Sequence, residues 1–151
     1  MDSVLEAALR RFISEDHIRN VLEGEWVDLF DDDGNKLDGI RGRIGVSAPT
    51  FGGHEIGIDF MEMQPGSAFP LHTHEGDHIL YVVSGRGLAE VGGEDHPLET
   101  GDTIFVPAEH PHSFKTYQDS TAPFQILAVG HPHKHLSAVD RMHLVRESDK
   151  C

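Results

Sequence analysis

The sequence predicts an all-β fold, a single antiparallel β-barrel with a short helix at its N-terminal end. Three observations carry that expectation. Apolar runs are short and alternate with polar residues, as a half-buried strand requires. Turn signals such as Ser84-Gly-Arg-Gly87, Gly92-Gly-Glu-Asp95 and Glu99-Thr-Gly-Asp102 separate those runs at regular intervals. The chain also holds 16 Gly and 8 Pro in 151 residues, a composition suited to strands and turns rather than to a helical bundle. That length fits one domain able to bury its own core.

Taken in order, residues 3–13 carry helical apolar spacing at Val4, Leu5, Ala8, Leu9 and Phe12, with Ser3 and Glu6 placed as a capping pair. A second short helix is expected from Glu15 to Leu22. Trp26–Phe30 alternates as a strand and ends in the turn Asp31-Asp-Asp-Gly34-Asn35. A calcium loop fails there: with Gly34 in the glycine place, Leu29 and Ile40 fall on the first and last ligand positions. Strands follow at Gly39–Val46, His54–Met63, Ile79–Val83, Gly87–Val91, Thr103–Val106, His112–Tyr117 and Phe124–Val129. The tail from His131 leads into an apolar patch, Leu136, Val139, Met142, Leu144 and Val145, expected to pack outside the barrel as a strand or short helix. The expected organisation is an N-terminal helical segment over 1–24, the barrel over 25–130 and a C-terminal extension over 131–151.

The net charge of −14 disfavours nucleic acid and anionic membrane surfaces as partners. Cys151 is the lone cysteine, so no intrachain disulfide forms, which fits a reducing compartment. No apolar run reaches membrane-spanning length, and Met1-Asp-Ser-Val-Leu-Glu lacks the basic and apolar regions of a signal peptide. A cytoplasmic protein is expected.

The chemistry concentrates in residues 66–85. His72, His74 and His78 fall at i, i+2 and i+6, and alternate residues of an extended chain share a face. His78 heads the apolar run Ile79–Val83, so imidazoles from two neighbouring strands can converge. Neutral imidazole ligates Zn, Fe, Mn, Ni, Co and Cu, and the cluster reads as a metal site. Glu75 and Asp77 flank His78 but lie off register.

The stretch from Gly66 to Lys115 resembles the cupin family. Gly66, five residues, His72-x-His74, three residues, His78, six residues and Gly85 reproduce the spacing of that family's first motif. Gly101, five residues, Pro107 and then His112 match the second. Three positions depart from the pattern: His78 stands for a glutamate, Glu109 for a glycine and Thr116 for an asparagine. The resemblance implies a double-stranded β-helix, or jelly-roll, with His72, His74, His78 and His112 as ligands of one divalent ion. Such four-histidine cupins include Mn- or Fe-dependent dioxygenases and a zinc-containing aromatic polyketide cyclase.

Four neutral ligands leave the charge of the ion unbalanced, which acidifies bound water and attracts an enolate, diketonate or phenolate. The expected function is a metal-dependent enzyme acting on an enolisable or aromatic, polyketide-like small molecule. Dioxygenation suits Fe or Mn, and Lewis-acid cyclisation or dehydration suits Zn. The alternative is a non-catalytic metal- or ligand-binding module. By parity with His78, Leu80, Val82 and Ser84 point inward, as do Phe114 and Thr116 with His112. Before the motif, either Phe60, Glu62 and Gln64 or Met61 and Met63 face the cavity. Phe60, Leu80, Val82 and Phe114 are the candidate substrate-lining residues, equally suited to plain core packing. Glu62, Tyr81 and Glu109 are candidate general bases, with His110 behind them. His131, His133 and His135 read as solvated residues of a surface loop rather than a second metal site. Exposed strand edges and the N-terminal helix lead us to expect a homodimer.

Overall fold

The computed structural model describes residues 10–146. Most of the expected 3–13 helix lies outside them, and residues 10–13 are not helical. The second expected helix shortens to one turn, α1 (Ser14–His17). Ile13 offers no side-chain cap, Ile18 is already extended, and the Asn20 side chain takes the Leu22 N–H at 2.8 Å. That local bond competes with helix continuation.

Eleven strands follow among the described residues: β1 (Val27–Phe30), β2 (Lys36–Pro49), β3 (Glu55–Met63), β4 (His72–Thr73), β5 (Asp77–Ser84), β6 (Arg86–Val91), β7 (Glu94–Glu99), β8 (Thr103–Val106), β9 (His112–Lys115), β10 (Phe124–His131) and β11 (His143–Leu144). They form two antiparallel sheets, ordered β1-β2-β3-β10-β5-β8 and β11-β4-β9-β6-β7. One core draws on both, with Met61, Met63, Leu80, Val82, Phe124 and Ile126 from the first sheet and Ala89, Leu98 and Phe114 from the second. The fold is the all-β jelly-roll that the strand pattern predicts.

β7 had no sequence signal because it is an edge strand with a single buried side chain, Leu98, and alternation shows only where one face is covered. Pro97, lacking a donor, is tolerated at such an edge. On β5 the parity expectation holds for Leu80 and Val82, which are buried while Tyr81 is exposed; Ser84 at the strand end is exposed. β3 departs from simple alternation, since Phe60, Met61, Glu62 and Met63 are all buried. Trp26 covers the outer face, its ring 6.1 Å from that of Phe60 and under the guanidinium groups of Arg41 and Arg43.

In the tail, Leu136 and Met142 are fully buried and join the main core rather than packing outside it; a Cβ at Gly42 would lie 2.3 Å from Leu136 Cδ2, so the glycine admits that contact. Val139 stays half exposed. β11 then joins the edge of β4, with Leu144 opposite His72 and His143 opposite Thr73. This pairing carries Arg141, two residues before β11, to the mouth of the space between the sheets.

Candidate metal centre

Four imidazoles meet where the sheets approach each other. His72 on β4 lies opposite His112 on β9, with ring centroids 4.3 Å apart. His74, just past β4, brings its ring to 4.6 Å from that of His112. His78 comes from β5 in the other sheet, opposite Gly130 on β10. Ring nitrogens of His72, His74 and His112 fall within 4.8 Å of one another. His78 Nδ1 lies 2.8 Å from His74 Nε2. The ring nitrogens of His72, His74 and His112 are close enough together to be ligands of one ion.

The backbone sets the orientation of three of the rings. Nδ1–H of His72 donates to the Pro70 carbonyl at 2.7 Å, that of His74 to Gly76 at 3.1 Å, and that of His112 to His110 at 2.8 Å. A carbonyl only accepts, so each bond places the proton on Nδ1 and leaves Nε2 with a lone pair. This is the tautomer that a metal ligand needs. His78 turns the other way, its Nδ1 toward His74 and its Nε2 toward Gly130, where a Cβ would lie 2.6 Å from it.

Burial keeps the cluster neutral. Removal from water, followed by the proximity of His112, pushes His74 down to about 3. Desolvation and then His74 push His78 down to about 2. His72 and His112 are lowered as well, burial being the largest cause for each. Three neutral ring nitrogens, from His72, His74 and His112, fit a borderline divalent cation.

Beside the rings lies a small cavity of about 20 Å³ lined by Met61, Phe69, Leu80, Phe114, Ala128 and Arg141. Leu80 and Phe114 are therefore where parity predicts them. Val82 lies further along β5, enclosed in the core, and Phe60 faces Trp26 on the opposite side of β3. It is the Met61 face of β3 that looks at the histidines.

The candidate bases are not brought to the rings. Glu62 shares the Phe60 face and is held by Arg41 at 2.8 Å, Gln64 at 3.1 Å and Gln125 at 2.9 Å. Tyr81 is exposed on the side of β5 opposite Leu80. Glu109 is exposed in the β8–β9 turn, and its N–H donates to the His74 carbonyl at 2.8 Å. Asp77 accepts the Ala108 N–H, and Glu75 pairs with Lys134. His131, His133 and His135 take separate partners: His131 packs on His54, His133 bonds Asp59, and His135 meets Ser137.

Sequence reasoning missed Asp59 and Arg141 and took for a surface residue His133, whose side chain is buried against Asp59. Asp59, His133 and Arg141 line a second small cavity that also touches His74 and His78. Asp59 was within reach, since alternation on β3 puts it on the face of Met61 and Met63. Arg141 had no signal, because its place depends on the β11–β4 pairing of two-residue strands.

The cupin domain family matches residues 59–130. An oxalate-binding protein of Thermotoga maritima is 34% identical over 65 residues, covering 42% of this chain and 54% of that protein. The dimethylsulfoniopropionate lyase DddQ of Ruegeria pomeroyi is 33% identical over 89 residues, covering 57% of this chain and 41% of the lyase. The chain thus spans about half the length of these curated relatives. Among solved structures, the polyketide cyclase RemF of Streptomyces resistomycificus superposes with a TM-score of 0.63 at 18% identity, covering 87% of each chain. No helix among the described residues is long and apolar enough to cross a membrane.

Proposed function

We propose that this chain, matched by the cupin domain family over residues 59–130, is a mononuclear, metal-dependent enzyme acting as a Lewis acid on a small enolisable molecule. The observation that carries this reading is the convergence of ring nitrogens from His72, His74 and His112, joined by His78 at 2.8 Å from His74. An ion bound there would supply Lewis acidity toward a substrate oxygen. The protein's part is to hold four imidazoles neutral and aimed, so that an anionic ligand is attracted, and to keep bulk water out.

The narrow cavity favours a small substrate over a polyketide. The relationship to a lyase supports redox-neutral chemistry, which zinc serves, with dioxygenation on Fe or Mn as the second reading. The same reading takes the protein as a cytoplasmic homodimer, an assembly supported by the exposed apolar side chains Phe51, Ile56 and Phe105.

The test combines elemental analysis of protein purified without added metal with two assays on a panel of diketones and 2-oxo acids. Carbon-bound hydrogen exchange is followed by NMR and oxygen uptake by electrode. Exchange that needs the ion and consumes no oxygen supports the proposal. Oxygen uptake would move the protein to the dioxygenases, and tight metal with neither activity would make it a binding module.

A further inference from the structure

We propose that Arg141 anchors the carboxylate of a small hydroxy acid, whose hydroxyl is received by Asp59. The inference deepens the metal-enzyme reading and partly rests on it, since the remaining oxygens of such a ligand face the four imidazoles.

Arg141 reaches the site from the tail, outside the matched cupin domain, and lines both small cavities beside the histidines. Its guanidinium is enclosed by protein although the residue keeps some exposed surface. Among the described residues its one hydrogen-bond contact is Met61 Sδ at 4.0 Å, a weak acceptor, and it makes no ion pair within 4.0 Å. A guanidinium carries five N–H donors in a planar fork, and the protein meets this one only through a weak sulfur acceptor. The ligand that meets such a fork best is a carboxylate, through two parallel bonds.

The opposite demand sits across the same space. Asp59 is 3% exposed; its Oδ2 accepts from His133 Nε2 at 2.7 Å, while its Oδ1 is buried without a hydrogen-bond partner. Asp59 lies near enough to favour the charge on Arg141, yet the two are not in contact. His133 is itself held in place, by its own N–H to the Glu55 carbonyl and by Gly57, where a Cβ would lie 2.5 Å from the ring. The cavity therefore presents an unmet donor fork and an unmet acceptor side by side, next to a set of metal ligands. A molecule bearing a carboxylate and a neighbouring hydroxyl answers all three. An apolar ligand answers none, and a purely cationic one answers Asp59 alone.

The test uses glycolate, acetate and ethylene glycol as probes, titrated by NMR into zinc-loaded and EDTA-stripped full-length protein with the metal content measured. Glycolate is expected to bind tighter than acetate in both forms, and ethylene glycol about tenfold or more weaker than glycolate. Arg141→Met, close in length and apolar, is expected to weaken glycolate and acetate about tenfold or more and to leave ethylene glycol unchanged. Arg141→Lys should recover part of the loss, because it restores the charge without the fork. Circular dichroism checks that each variant is folded, and Arg141→Gln replaces Met if it is not. Glycolate affinity within twofold of the parent in a folded Arg141→Met variant overturns the anchor. Equal affinity for acetate and glycolate in the stripped protein overturns the role of Asp59. Failure to take up zinc would sink the metal reading alone, because the stripped protein still judges Arg141.

Discussion

His72 and His112 stand directly opposite each other across the β4–β9 pair, their rings 4.3 Å apart and each Nδ1–H tied to a carbonyl of its own strand approach. Neither ring can turn away without breaking that bond, so the pair is aimed before any ion arrives. His112→Ala should therefore remove metal binding rather than merely weaken it. A drop in affinity of about 100-fold or more is expected, since changes to mere orienting groups already cost about 10–100-fold. Competition with a chelating dye reads the result; retention of parent affinity would place the ion elsewhere.

The stripped protein should lose stability on acidification well above the range of carboxylates. His74 titrates near 6.5 when unfolded and is pushed down to about 3 when folded, so between those values the unfolded chain binds the extra proton. Stability is thus complete above about pH 6.5 and falls as pH drops toward 3, by about 1.4 kcal/mol per pH unit for this group. His78, His72 and His112 act in the same direction. Urea midpoints at pH 7.5 and 5 measure it. A metal-loaded sample should be less affected until the ion is released, and equal midpoints for the stripped protein would refute a neutral cluster.

Gly130 should behave as part of the site although it carries no donor. A Cβ there would lie 2.6 Å from His78 Nε2 and 2.8 Å from its Cδ2, contacts that force the ring to move. Gly130→Ala is expected to lower metal affinity about 10-fold or more, the cost of misplacing one ligand. In a His78→Ala background the same change should add little, because the ring it displaces is gone. Additive losses in the double variant would show that Gly130 acts on something else.

How far these features were legible follows from which interactions are local. Alternation located most strands, and the spacing of His72, His74 and His78 marked a candidate cluster, because both read from residues close in sequence, whereas His112 came in through the family resemblance. β7 was invisible because four of its first five side chains face water around Pro97, and an edge strand needs no apolar face. Phe60 and Glu62 were placed on the wrong side of the argument because Trp26 and Arg41 bury the outer face of β3, leaving no polarity contrast to choose between its faces. Arg141 depends on a contact between β11 and β4, about seventy residues apart, and no local pattern reports it.

Glu109 carries a cost that its neighbours explain. It is the one non-glycine residue with positive φ, 62°, among the described residues, a region that L side chains enter at a cost of about 1–2 kcal/mol. The turn demands it: the Glu109 N–H must reach the His74 carbonyl at 2.8 Å, which ties the β8–β9 turn to the segment bearing a ligand. Glycine would adopt the same backbone without strain but would enlarge the freedom of the unfolded chain, which offsets part of the gain. Glu109→Gly is expected to raise stability by about 0.5–1 kcal/mol. The side chain is exposed, so no packing is lost. Urea denaturation gives the change directly, and a lower midpoint would mean that the Glu109 side chain makes a contribution larger than the strain it brings.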